Sequence, residues 1–147
     1  MVLAAFLQGT EFLAIGGVKP NLVFVLIVVL SFFIPDILYF LILMLVGDIV
    51  LRSEFASYHE ILILSLLSII SFSIGKRLPG KPIFNTIGVV ALATLLYYLF
   101  VDSGFVMHAF GTVCIEIVLN SALAGILFLV FQKVLIREYE KKIRSAI

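Results

Sequence analysis

Charge is scarce in this sequence. Asp, Glu, Lys and Arg make up 13% of its 147 residues, against about 25% in a soluble domain. With 63% hydrophobic residues and a mean hydropathy of +1.28, folding in water would leave a large apolar surface uncovered. Lipid covers such a surface, so a bilayer protein is expected and a water-soluble domain is excluded. Cysteine is scarcer still. Cys114 is the only one, which rules out an internal disulfide and any multi-cysteine metal site; in its apolar stretch it reads as a small packing residue. The alternation that marks a transmembrane β-barrel is missing too, because runs such as Leu22 to Leu30 are apolar throughout. Helices, which satisfy their own backbone, remain. There is no Ser/His/Asp pattern, Gly-rich phosphate loop or His-rich metal motif, so neither an enzyme nor a cofactor is expected, and nucleic acid is not an expected partner. Met1 is followed by no basic leader or small-residue cleavage pattern, so insertion through the chain's own helices is expected.

What the sequence does contain is a series of apolar runs cut by Gly, Pro and charge. They predict an all-α, polytopic transmembrane bundle of six short helices, over about 2–15, 21–33, 35–51, 59–75, 82–101 and 105–134, with a short basic tail over 135–147. The first run is broken by Gln8, Gly9, Thr10 and Glu11 and is short for a span; it is either a polar-tipped short helix or one that lacks a few residues. Gly16 to Pro20 should turn the chain. Asn21 to Leu51 is apolar almost throughout, yet one helix of that length would measure about 46 Å against a hydrocarbon core of about 30 Å. Pro35 disfavours helix at Ile34 and suits a new helix start, and Asp36 would face the positive end of that helix. The expected arrangement is a hairpin, Asn21–Phe33 then Pro35–Leu51; the alternative is one long kinked helix. Gly75, Lys76 and Arg77 should end the fourth helix. Pro82 should open the fifth, and Asp102 to Gly104 should turn the chain into the sixth.

The basic residues set an orientation. Lys76, Arg77 and Lys81 flank one loop, and Lys133, Arg137, Lys141, Lys142 and Arg144 mark the C-terminal end. Both clusters are expected in the cytoplasm by the positive-inside rule, and two helices separate them, so the assignments agree. Arg52–Tyr58 and Asp102–Gly104 then face outward. The basic tail reads chiefly as a membrane anchor, with a cytoplasmic partner or anionic lipid as the further reading.

An ionisable residue inside a bilayer costs at least about 2.5 kcal/mol on insertion scales, so each one needs a reason. The candidates are Asp48, near the outer end of helix three, and Glu116 with Asn120, which share a face of helix six four residues apart. Ser121 and Gly125 form a small-xxx-small pair that admits a neighbouring helix. Two readings of this group stay open: a polar packing seam, with Glu116 protonated or hydrogen-bonded to a neighbour, or the wall of a polar cavity for a lipid headgroup, a partner helix or a proton. Asp48 reads as an interfacial carboxylate reached by water. Ser65, Ser68 and Ser71 recur near helical spacing and predict a close-packed face. His59 and His108 lie near the outer interface without a ligand cluster around them, and Tyr97 and Tyr98 fit an aromatic belt.

Several short motifs carry a family resemblance. Gln8-Gly-Thr-Glu-Phe followed by Gly17-Val-Lys-Pro-Asn-Leu resembles the start of the MreD family of rod shape-determining proteins, with Asn21 where the family usually has Asp. Gly47-Asp48-Ile-Val-Leu resembles the family's end of helix three. Phe55 to His59 resembles its entry into helix four, without the glycine, and Gly75-Lys-Arg-Leu resembles its exit. Glu116 with Leu119-Asn120 resembles the polar insertion in the last helix. Order and spacing match over nearly the whole chain, with the first helix shortened. The resemblance implies a fold similar to the substrate-binding subunits of energy-coupling-factor transporters. It also implies a non-enzymatic scaffold in the bacterial cytoplasmic membrane, acting in the machinery that elongates the cell wall. The implied partner is a single-span MreC-like protein, with links to an MreB-like filament, a RodA-like glycosyltransferase and a class B penicillin-binding protein. The alternative the fold suggests is a small-solute transporter subunit of the energy-coupling-factor type.

Overall fold

The computed structural model describes residues 14–15, 17–53 and 57–144, with side chains as far as Arg137. The expected first helix over 2–15 therefore lies almost wholly outside the described residues, as do 54–56 of the polar loop and the last three residues of the tail. Among the described residues the chain is all-helical, with six helices: α1 Leu22–Ser31, α2 Ile37–Ser53, α3 Tyr58–Gly75, α4 Pro82–Val101, α5 Ser103–His108 and α6 Phe110–Arg144. Three of them, α3, α4 and α6 as far as Arg137, are long and apolar enough to cross a membrane. The protein is read as a membrane protein on that basis.

Each boundary has a local cause. Ile15 and Val18 exchange backbone hydrogen bonds of 3.0 and 3.1 Å across a turn in which Gly17 takes φ 82°, a conformation that favours glycine. Asn21 then caps α1 by accepting from Phe24 N–H at 3.1 Å. Pro35 excludes helical geometry at Ile34, and α1 stops at Ser31, two residues before the expected end. Pro35 does not open the next helix. Asp36 takes the capping position instead, its carboxylate accepting from Leu38 N–H at 2.8 Å, so α2 starts at Ile37. Ser57 caps α3, Pro82 is the first residue of α4, and Asp102 caps α5 by accepting from Phe105 N–H at 3.0 Å.

The expected single helix over 105–134 is two helices, and it runs further. Ala109 leaves helical geometry at φ −123°, ψ 35°, which turns α5 back so that the Phe105 ring stacks on Tyr98 with centroids 5.6 Å apart. Beyond 134 the chain stays helical to Arg144. The sequence there sets Glu138 four residues before Lys142 and Glu140 four before Arg144, an order that favours helix.

The Pro35 segment is a turn between two helices packed on one another, not a kink in one. Lys76 Nζ donates to Pro35 O at 2.6 Å, the Phe32 ring lies against Gly75, and Phe33 packs on Phe128 and Phe131 of α6. The turn therefore sits at one end of the bundle with Lys76, Arg77 and Lys81, here called the basic end. At the opposite end Arg52 donates to the Tyr58 hydroxyl at 2.6 Å, closing the loop between α2 and α3.

The core is α1. Val23, Phe24, Val25, Ile27, Val28 and Val29 are all buried, so the helix is apolar around its whole circumference, with only Leu26 and Leu30 partly exposed. It packs against α2, α3, α4 and α6. Its ten residues rise only about 15 Å, half the hydrocarbon thickness.

Candidate functional site

Glu116 and Asn120 lie one turn apart on α6 and face Tyr98 and Thr94, one turn apart on α4. The two helices run antiparallel, so the pairs meet rung by rung. The Tyr98 hydroxyl donates to Glu116 Oε2. Asn120 Nδ2 donates to Thr94 Oγ1 at 3.1 Å and, more weakly, to Glu116 Oε1 at 3.4 Å. Thr94 Oγ1 donates in turn to Val90 O at 2.9 Å. Asn120 Oδ1 accepts from the backbone N–H of Asn21 at 2.9 Å, which brings the start of α1 into the same cluster. Asn120 and Glu116 are 1% and 8% exposed and Thr94 is 2% exposed, so the bonds of the Asn120 amide hydrogens are buried, while those to Tyr98 and Asn21 are partly buried.

Asn120 is the node. It uses one acceptor and both amide hydrogens on three different residues, and so joins three helices. The N–H it accepts belongs to the cap of α1, one of the donors that a helix start leaves without an internal partner. The positive end of the α1 dipole thus points toward an amide oxygen and, behind it, a carboxyl group. Each donor in the cluster faces an acceptor on a neighbouring turn or helix, and in a medium of low dielectric such a closed set is rigid.

The other candidates are placed elsewhere. Gly125 is five residues, about one and a half turns, from the node, and a Cβ there would meet Ile87 of α4 at 3.4 Å, so α4 and α6 approach closely at this level. The Ser121 hydroxyl is buried without a hydrogen-bond partner among the described residues. Asp48 does not join the cluster. Its two carboxylate oxygens lie 2.8 and 2.9 Å from Ser65 Oγ, which ties α2 to α3. Ser68 and Ser71 are buried and donate to the carbonyls of Leu64 and Leu67 in their own helix, at 2.8 and 2.7 Å, leaving a smooth packed face. His108 Nδ1 lies 2.8 Å from Gly104 O and His59 is exposed. Among the described residues no group of three His, Cys, Asp or Glu is arranged to hold a metal ion.

Three members of the cluster were not singled out by sequence reasoning as site residues. Tyr98 was assigned to an aromatic belt, and Thr94 and the backbone of Asn21 were not assigned to any site. Thr94 and Tyr98 are four residues apart in an otherwise apolar run, the same spacing as Glu116 and Asn120; that matching interval is the signal that pairs them. No family model matches the chain, and neither a curated protein nor a solved structure matches it.

Proposed function

We propose that this chain is a non-enzymatic scaffold subunit of a membrane complex and docks a partner's transmembrane helix along its lateral surface. The observation that carries the reading is the position of α2. Among the described residues this helix packs only on α1 and α3, and Leu38, Ile42, Leu45 and Ile49 are 65, 56, 60 and 62% exposed. Their spacing of four, three and four residues makes a straight apolar stripe of the kind that seats another helix. Association in a bilayer is driven by packing, and a helix with so little of its surface packed has the most to gain from a partner.

The interior supports scaffolding over solute transport. The polar groups of Asn21, Thr94, Tyr98, Glu116 and Asn120 bond to one another, and the groove between α3 and α4 has room for only about 40 Å³ among Leu67, Ile70, Ser71, Val89 and Ala93. The resemblance to the MreD family supplies the setting. In this proposal the complex is the bacterial wall-elongation machinery, the partner is a single-span MreC-like protein, and the basic end faces the cytoplasm. MreB-like, RodA-like and class B penicillin-binding proteins then join through the complex.

Co-purification in detergent tests the reading. The full-length MreC-like protein should be recovered with this chain, and Leu38→Ala with Leu45→Ala should reduce the recovery. Equal recovery of the partner's soluble domain without its helix would refute lateral docking.

A further inference from the structure

The two longest neighbours in the bundle differ in length, and the excess carries charge. Tyr98 bonds Glu116, Thr94 bonds Asn120 and Ile87 meets Gly125. Continuing that antiparallel register sets Pro82, the first residue of α4, level with about Phe131 on α6. The remainder of α6, to Arg144, therefore projects about 20 Å past the end of its neighbour. Counting from the other end gives the same level: about 20 residues of helix cross a 30 Å core, which from Phe110 reaches Leu129 or Val130.

One face of α6 at this level carries Leu129, Gln132, Lys133, Ile136 and Arg137. Lys133 and Arg137 are exposed and lie one turn apart on one face. Leu129 and Ile136 are about half exposed. Lys133 sits about 3 Å and Arg137 about 9 Å beyond the end of α4, within or at the edge of the headgroup layer, which is about 5–8 Å thick on each side. The same end carries Lys76, Arg77 and Lys81, with Asp36 capping α2; further along α6 the sequence sets Glu138 and Glu140 against Lys141, Lys142 and Arg144, so the extension stays net basic.

We infer that this face of α6 binds the headgroup of an anionic phospholipid. Lys133 and Arg137 hold the phosphate from one side, Gln132 donates an amide hydrogen, and Leu129 with Ile136 lie along the upper part of the acyl chains. Arg and Lys stems reach the headgroup level while packing along lipid, and two cations near the surface favour an anionic lipid by about thirtyfold.

Native mass spectrometry of the full-length protein, released from detergent containing equal phosphatidylglycerol and phosphatidylcholine, reads the inference directly. The wild-type chain should retain phosphatidylglycerol preferentially. Lys133→Gln with Arg137→Gln should abolish the preference, whereas Arg77→Gln with Lys81→Gln, which removes the same charge from the same end, should keep most of it. Added inorganic phosphate should leave the lipid bound. Equal retention of both lipids by the wild type, equal loss in both double variants, or displacement by phosphate would each overturn the assignment, the last by giving the face to a soluble anion.

Discussion

Asn120→Leu is the sharpest perturbation the structure offers. Leucine keeps the branched skeleton of asparagine with methyl groups in place of the amide oxygen and nitrogen, so the side chain is somewhat larger and three hydrogen bonds vanish. The loss leaves Asn21 N–H without its acceptor at 2.9 Å and removes the donor to Thr94 at 3.1 Å and to Glu116 at 3.4 Å. Hydrogen bonds between membrane helices are worth on average about 0.6 kcal/mol each. A buried donor left unpaired costs about 1–3 kcal/mol. Together these give an expected loss of about 2–4 kcal/mol, a large fraction of the stability of a small domain. The assay is reversible unfolding by sodium dodecyl sulfate in mixed micelles, followed by circular dichroism. Thr94→Val sets the scale, since it leaves Asn120 bonded to Asn21 and Glu116 but one of its amide hydrogens without an acceptor; it should cost about 1–2 kcal/mol. In the double variant the two losses should fall short of additive by about 0.6 kcal/mol, because the shared bond is counted in each single change. A loss under about 0.5 kcal/mol for Asn120→Leu would refute the view that Asn120 holds the three helices together.

Further outcomes follow from the same geometry. Glu116→Gln keeps the shape of the side chain and an acceptor for Tyr98 and should retain stability and function, whereas Glu116→Leu should lose about 1–3 kcal/mol; a folded, inserted Gln variant without function would show that Glu116 works by ionising. Gly75→Ala places a methyl group 2.7 Å from the tip of the Phe32 ring and should cost about 1–3 kcal/mol in the same unfolding assay, with much of the loss recovered when Phe32→Leu is added. In a Cys114→Ser background, single cysteines at Asp36 and Lys81 should be labelled from one side of the membrane and one at Arg52 from the other; labelling of Asp36 together with Arg52 would exclude the hairpin.

How much of this was legible depended on whether the signal was local. The helix starts at Ser57 and Pro82 and the stop at Gly75 rest on capping and on φ preferences, so they could be placed within a residue or two. The Pro35 segment was ambiguous because proline permits both a kink and a turn; Lys76, far along the chain, holds its carbonyl and makes it a turn. The break at Ala109 carried no proline, and the nearest glycine, Gly111, lies inside the helix that follows. Glu116 and Asn120 stood out because polar residues are costly in an apolar run. Tyr98 and Thr94 did not, since tyrosine suits an interface and threonine hides in a helix by bonding its own backbone, as Thr94 does to Val90. Only the antiparallel register of α4 on α6 reveals that the two pairs meet.

The shortness of α1 and the polar cluster are two sides of one constraint. A helix that rises about 15 Å cannot bring both ends to the surfaces of a core about 30 Å thick. One end must finish at depth, where water is absent and an unpaired backbone group costs several kcal/mol. Asn21 lies level with Asn120, which is ten residues, or about 15 Å, along α6 from Phe110. The free donors at the start of α1 therefore sit near mid-membrane, and two asparagines serve them: the Asn21 side chain accepts from Phe24 N–H, and Asn120 accepts from Asn21 N–H. An asparagine placed in an apolar helix to do this has amide hydrogens of its own to satisfy, which accounts for Thr94 and Glu116 beside it, and Glu116 in turn accounts for Tyr98. At the other end of the segment Lys76 supplies a donor to the carbonyl of Pro35. The polar cluster around Asn120 is thus a consequence of enclosing a half-length helix, and its chemistry is committed to the start of that helix, whereas Asp48 with Ser65 and the Ser121 hydroxyl stand apart from it. What remains free to act on other molecules is the outside: the apolar stripe of α2 and the basic extension of α6.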